Sequence, residues 1–332
     1  MEGLMEALMS SSQDELLENA IEAVKKKQPK NIFFVACGSS MAYMCNQQYI
    51  FDLETEIPAF VLNSNEFLHR RPKALGNHSL VVTCSHSGST PETVEATQFA
   101  REKGALTVAY SNKEDSPLWR EAECNLYYDW GPEADAFRAR SGMALRFVFG
   151  ALHALQPQVK YAKATETVKN LSRIFECNME KFAPQAESFG SEYKREPVIY
   201  TMGSGPLYAE AYAFAICVLQ KMLWVHSAAI HSGEYFHGPF EITDYDVPFM
   251  LFKNAGETRP LDDRAEIFAK KFSKRVIVID ANTFDWNDID EELYRYFSAP
   301  IMGAVAGTYA ERLSDHKGHP LTVRRYMGKM EY

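Results

Sequence analysis

The chain has 332 residues, of which 46% are apolar and 13% aromatic, and it carries a net charge of −9. That length suggests two domains, and that apolar share supplies a large core and excludes disorder. An acidic chain with no long Lys/Arg cluster argues against nucleic acid or an anionic membrane as partner, and no apolar run approaches the ~20 residues of a membrane span.

The start, MEGLMEALMSSSQDELLENAIEAV, is acidic and lacks the basic region and apolar segment of a secretion signal. It predicts a helix, and KKK at 25–27 suits that helix's carboxyl end. NIFFVAC (31–37) reads as a strand and SMAYMCNQQYIF as a helix. PAFVLN (58–63) and SLVVTCS (79–85) are strands, a helix covers 91–103, and ALTVAYS (105–111) is a further strand. Continuous apolar strands alternating with amphipathic helices predict a parallel sheet covered on both faces. Residues 141–193 read as mostly helical. Six cysteines (37, 45, 84, 124, 177 and 217) are scattered without a CxxC pair, as reduced core residues of a cytoplasmic protein. No grouping has metal-ligand spacing, so no metal is expected.

The pattern then returns. PVIYTMGSG (197–205) echoes IFFVACGSS (32–40), placing Gly203 on Gly38. VPFMLFKNAGETRP (247–260) echoes LVVTCSHSGSTP, placing Gly256 on Gly88 and Thr258 on Thr90. KRVIVIDAN (274–282) echoes GALTVAYSN (104–112). Two copies of one doubly wound α/β unit are expected, but Ser85 and Ser87 of the first copy become Lys253 and Ala255 in the second.

The loop SHSGST (85–90) carries four hydroxyls and a glycine between a strand and a helix. Ligands of open α/β sheets sit outside the carboxyl ends of strands, and a helix start there offers free N–H groups. Hydroxyls around a glycine suit phosphate; Thr90 before Pro91 is also a helix N-cap in its own right. There is no nucleotide motif of the GxxxxGK[ST] or GxGxxG kind. CGSS (37–40) ends the neighbouring strand with more hydroxyls.

ACGSS and SHSGST resemble the sugar-isomerase (SIS) domain, and the duplication resembles the double-SIS isomerase half of glucosamine-6-phosphate synthase. WVHSAAIHSGEYFHGPFEITD (224–244) and HPLTVRRYMGKMEY (319–332) closely resemble bacterial deglycases of fructosamine 6-phosphates. Those enzymes split fructose-amino-acid or fructoselysine 6-phosphate into glucose 6-phosphate and free amine. The resemblance implies an α/β protein of two tandem doubly wound parallel-sheet SIS domains, each three-layered α/β/α. It implies an N-terminal helical segment (1–29), a first SIS domain (30–155), linking helices (156–193) and a second SIS domain with its tail (194–332). It also implies a sugar 6-phosphate held by Ser39, Ser40, Ser85, Ser87 and Thr90, with His86 near the sugar and Ser111 and Asn112 on the next strand lining the pocket. No cofactor is expected, and a homodimer or higher homo-oligomer completes the pocket.

In HSGEYFHGPFE, Glu234 and His237 lie three apart, on one face if the segment is helical. A carboxylate and an imidazole there share proton transfers at neutral pH. The resemblance assigns ring opening to His237 and leaves Glu234 open between chemistry and packing. It implies a glutamate as enolisation base five residues before His226, where Lys221 stands. Lys221 as a desolvated base, Glu234 or Glu210 as a replacement, and a binding subunit without turnover all remain open, as does a phosphosugar aldose–ketose isomerase. The tail's Arg324, Arg325 and Lys329 are candidate ligand contacts, since family tails close over the sugar. His226 and His231 are expected in structural hydrogen bonds.

Overall fold

The computed structural model describes residues 12–286 and 289–331; the first eleven residues of the expected N-terminal segment lie outside the described residues. The chain divides into two compact units, up to Ser172 and from Arg173. No helix among the described residues is long and apolar enough to cross a membrane.

In the first unit, α1 (Gln13–Lys27) begins on a capping box between Ser12 and Glu15 and ends on Lys25, Lys26 and Lys27. Strands β1 (Asn31–Ala36), β2 (Ala59–Asn63), β3 (Ser79–Cys84), β4 (Leu106–Ser111) and β5 (Cys124–Tyr127) form one parallel sheet in the order β2-β1-β3-β4-β5. Every residue of β1, β3 and β4 is buried, as continuous apolar strands require when helices cover both faces. Between the strands run α2 (Ser39–Glu54), α3 (Ser64–Arg70), α4 (Pro91–Glu102) and α5 (Pro117–Glu121). Phe33, Val35 and Val81 pack with Phe67 and with Ala96 and Ala100 of α4. Each buried Phe or Val there contributes about 1.5–3 kcal/mol. The predicted helical stretch is α6 (Arg140–Leu155), α7 (Val159–Thr167) and α8 (Leu171–Tyr193).

The second unit holds β6 (Tyr200–Gly203), β7 (Ala229–His231), β8 (Phe249–Lys253) and β9 (Val276–Asp280), all parallel, in the order β7-β6-β8-β9. This is the order of the first four strands repeated, so the fold is two tandem doubly wound parallel sheets. Two sequence alignments shift. Gly205, not Gly203, takes the place of Gly38: each caps the helix after its first strand, with φ/ψ of 52°/−136° and 59°/−130°. A repeated G-S pair hid this two-residue slip, which the helix start settles. Likewise Cys84 pairs with Tyr110 and Phe252 with Ile279, so Asp280 stands where Ser111 does.

Neighbouring strand residues point to opposite faces. On one face of the second sheet, Thr201 donates to the carbonyl of Ala211 in α9 (Pro206–Ala213), and Phe252 meets Phe214. α9 runs on into a π-helical segment, Phe214–Gln220. On the other face, Met202 and Leu251 pack with Tyr235, Phe236 and Phe240 and with α10 (Arg259–Phe272).

Candidate active site

The loops after β1 and β3 leave neighbouring strands at one edge, since Ala36 lies opposite Cys84. Ser39 starts α2, and the buried Ser40 hydroxyl hydrogen-bonds Cys84. In the β3–α4 loop, the buried Ser85 Oγ lies 2.8 Å from Thr90 Oγ1. Ser87 Oγ accepts from the amide (3.3 Å) and hydroxyl (2.9 Å) of Ser89. Thr90 occupies the N-cap of α4, yet its side chain makes no capping bond. The capping explanation of that hydroxyl therefore fails, because it turns to Ser85 instead. Gly88 has φ 66°, and its carbonyl accepts from the Leu118 amide at 2.9 Å. A turn of hydroxyls at the start of a twelve-residue helix, entered through a left-handed glycine, suits a phosphate.

The other first-unit candidates divide. His86 Nδ1 lies 3.0 Å from the Tyr128 hydroxyl, and its ring meets Trp130 edge-on at 4.8 Å. Burial first, then the charges of Arg140 and Lys113, lower its pKa from 6.5 and favour the neutral ring. Ser111 is buried, and its hydroxyl is engaged with the Lys113 amide and carbonyl, while Asn112 donates to the Tyr128 carbonyl. Both shape the turn after β4. Arg140 went unnoticed in the sequence. Its guanidinium lies 4.8 Å over the Tyr43 ring, its carbonyl accepts from the Tyr43 hydroxyl, and its Nε is buried without a partner. Nothing in GPEADAFRARSG marks it, because the chain must first fold back to this edge.

The second copy's loop is filled by its own side chains. Lys253, buried, reaches Glu266 (2.5 Å) and Asp263 (2.7 Å). Arg259 forks onto both oxygens of Asp280, at 2.7 and 2.8 Å, and donates to the Asn254 carbonyl. Buried Asp262 accepts from Ser232 Oγ and the Asn254 amide. Burial alone would lower the Lys253 pKa, but Asp263 and Glu266 raise it.

Glu234 and His237 flank a 3₁₀ turn, with the His237 amide donating to the Glu234 carbonyl at 2.9 Å. In this tighter helix, residues three apart eclipse, so both side chains leave one side, and both are exposed. Gly238, at φ 143°, then opens a second 3₁₀ turn at Pro239. His231 accepts from the Gly233 amide, the structural role expected of it.

Lys221 follows the π-helical segment, on the opposite face of the second sheet from Tyr235 and its neighbours. It lines a cavity of about 730 Å³ with Trp224, His226, Arg324, Arg325 and Tyr326. His226, expected in a structural bond, is exposed there, and among the described residues its bonds are those of its main chain with Pro197 and Ile199. Arg325 stacks 4.2 Å over Trp224, whose φ is 55°. Arg324 donates to the carbonyls of Leu321 and Val323, and Lys329 to that of Arg324. Glu210, on α9, faces Gly303 rather than this cavity. The structure thus gathers Lys221 with the tail arginines and sets Glu234 with His237 elsewhere.

Comparison with known proteins matches residues 27–154 to the SIS domain. The chain is 44% identical to the fructosamine deglycase FrlB of Bacillus subtilis over 94% of this chain and 95% of that protein. It is 28% identical to the fructoselysine 6-phosphate deglycase of Escherichia coli over 94% of this chain and 90% of that protein. A crystal structure of a candidate phosphosugar isomerase from Bacillus subtilis superposes with a TM-score of 0.93 at 44% identity, over 96% of this chain and 97% of that one.

Proposed function

The chain belongs to the SIS-domain family and, within it, to the fructosamine deglycases; from that premise we propose that it splits a fructosamine-type 6-phosphate into glucose 6-phosphate and free amine. The observation that carries this reading is the likeness to FrlB along nearly the whole chain. The hydroxyl loop of the first copy, whose Ser85 and Ser87 have no counterpart in the second, supports a phosphosugar ligand.

The chemistry runs in balanced steps. An acid protonates the ring oxygen of the 1-amino-1-deoxyfructose 6-phosphate, and the ring opens to the ketone. A base removes a C1 proton, giving the enaminol. A proton returned to C2 makes the C1 imine, and water splits the imine into glucose 6-phosphate and amine. His237 takes ring opening, with Glu234, which opens the same 3₁₀ turn, for proton exchange. Ser39, Ser40, Ser85, Ser87 and Thr90 hold the phosphate, and His86 lies beside the sugar. No cofactor enters these steps. The protein works in the cytoplasm as a homodimer or larger assembly. Lys221 and His237 stand on elements covering opposite faces of one sheet, and a neighbouring copy supplying His237 would resolve that separation. Full activity in a monomer, shown by ultracentrifugation, would remove the assembly claim.

A second reading rests on Lys221, a cation among cations where the resemblance implies a glutamate. In it, the protein binds the phosphosugar without turnover. One experiment tests both: incubation with a panel of glycated-amino-acid 6-phosphates, scored for glucose 6-phosphate and free amine. Release of both establishes the deglycase, whereas binding with no release across the panel overturns it.

A further inference from the structure

We propose that the Arg140 guanidinium binds the phosphate of the ligand in the first unit, supplying the positive charge that the hydroxyl loop lacks. The proposal rests on the phosphosugar reading of that loop and deepens it.

The loops that face the ligand are neutral. Neither CGSS (37–40) nor SHSGST (85–90) holds a lysine or an arginine. A phosphate monoester carries about −1.5 to −2 charge at pH 7. His86 does not meet that charge at neutral pH, because burial first, and then the charges of Arg140 and Lys113, favour its neutral ring. Lys113 is exposed, and solvent screens its charge.

Arg140 is placed to meet it. Its guanidinium carbon lies 4.8 Å over the Tyr43 ring. Tyr43 stands one helical turn after Ser39 and Ser40 on α2, so the three share a face. Helical side chains lean toward the amino end of their helix, which carries the Tyr43 ring toward the two serines. The Tyr43 hydroxyl donates to the Arg140 carbonyl and ties the start of α6 to α2. Cys84 and His86, where β3 ends and its loop begins, lie within range of the same charge.

The cation is also unpaired. Among the described residues the guanidinium has no hydrogen-bond or carboxylate partner, and its Nε is buried besides. Arg70, Arg101 and Arg146 of the same unit each face a carboxylate. Arg146, on the same helix, stacks on Phe137 and still pairs with Asp14. Position adds a second penalty. Arg140 opens the sixteen-residue α6, whose first turn holds no acid and whose N-cap Ala139 makes no side-chain bond. The amino end of a helix is positive, so Arg140 sets like charge on like. A phosphate bound between Arg140 and the serines relieves both, through charge-assisted N–H···O bonds and through the dipole.

Calorimetry with glucose 6-phosphate, and its displacement by inorganic phosphate, tests the assignment. Arg140→Met should weaken both ligands about 10–100-fold, the range for lost charge-assisted bonds. Arg140→Lys should recover at least about threefold of that loss, since it restores the charge without the fork. Lys113→Met should move neither ligand by more than about threefold. In the native protein, inorganic phosphate should shift the nitrogen NMR signals of the Arg140 guanidinium, assigned by their absence in Arg140→Lys. That shift decides the matter if circular dichroism finds Arg140→Met unfolded. Signals unmoved at saturating phosphate overturn the proposal. So does a loss confined to glucose 6-phosphate, because the guanidinium would then hold the sugar. Native affinity in Arg140→Met beside weak binding in Ser87→Ala with Thr90→Ala removes Arg140 and keeps the phosphosugar reading of the loop. No binding of glucose 6-phosphate to the native protein removes both. Amine release is scored separately: phosphate binding that depends on Arg140 in a protein releasing no amine keeps the proposal and removes the deglycase reading.

Discussion

Gly88→Ala tests whether the first-unit loop needs its left-handed glycine. Gly88 has φ 66°, where an L-residue costs about 1–2 kcal/mol. An added Cβ would stand 2.0 Å from Ser116 Oγ and 2.3 Å from Ser116 Cβ. Ser116 cannot yield freely, since its hydroxyl caps α5 by accepting from the Trp119 amide at 3.3 Å. Losing that cap costs about 1 kcal/mol, so the substitution should destabilise the first unit by roughly 2–3 kcal/mol. Adding Ser116→Gly removes the nearer obstruction, leaving Ser111 Oγ at 2.9 Å as the remaining close contact, and a glycine cap is only a few tenths worse. The double variant should therefore recover about 1 kcal/mol relative to Gly88→Ala alone. Gly256→Ala is the control: its φ is not left-handed, its nearest neighbour lies at 3.4 Å, and it should move stability by less than about 0.5 kcal/mol. Urea unfolding read by hydrogen exchange at β3 and β4 amides isolates the first unit, and calorimetry with glucose 6-phosphate reads the loop. Native stability and native binding in Gly88→Ala would refute the reasoning.

Ser87→Ala with Thr90→Ala should weaken glucose 6-phosphate binding by roughly 1–3 kcal/mol, and Thr258→Ala should leave it alone; an equal loss in both by calorimetry would contradict the assignment of the phosphate to the first unit. His237→Ala should lower amine release by about 10²–10⁴ with circular dichroism unchanged, and a turnover rate within threefold of native would clear His237 of proton transfer. His86, whose protonation the folded state disfavours, should titrate below 6.5 by NMR in the free protein. Its contribution to stability is then present above that value and lost as pH falls through the folded one, and phosphate should raise its midpoint; a free-protein midpoint at or above 6.5 would overturn this. Lys253→Met should destabilise the second unit by roughly 2–3 kcal/mol at pH 7, less than a fully buried pair because the Asp263 carboxylate is half-exposed. Burial pushes Glu266 and Asp280 up, but Lys253, Lys270 and Arg259 pull them below 4.5 and 3.8. That stability is present above those values and lost as pH falls through the folded ones, so urea midpoints of native and variant should converge as pH falls through the lowered carboxylate range; a gap independent of pH would show the ion pairs contribute nothing.

The sheets were legible because continuous apolar runs such as SLVVTC leave few alternatives, and the repeat was legible because three strands returned in one order. Its register slipped wherever the repeated residues were small: G-S-G matches G-S-S at more than one offset, and only the helix start distinguishes them. The hydroxyl loop was visible because its residue types carry its chemistry. Arg140 and Tyr128 were not, since they reach His86 only through the fold of β4, β5 and α6. The π-helical turn that presents Lys221 has no residue signature, as FAICVLQ would form an ordinary α-helix equally well. The separation of Lys221 from His237 depends on which face of a sheet each covering segment takes, and motif spacing does not encode that.

The ion pairs that fill the second loop also make its divergence hard to reverse. Returning serine to position 253 would leave Glu266, Asp263 and Asp280 without their lysine, and their charges would face any arriving phosphate. Changing Asp280 alone would instead take from Arg259 its two shortest carboxylate contacts. Each backward step is unfavourable by itself, so the socket reopens only if several residues change together. A duplicated chain locked in this way can lose the ligand from its first loop by single substitutions, but it cannot move the ligand to the second by the same route.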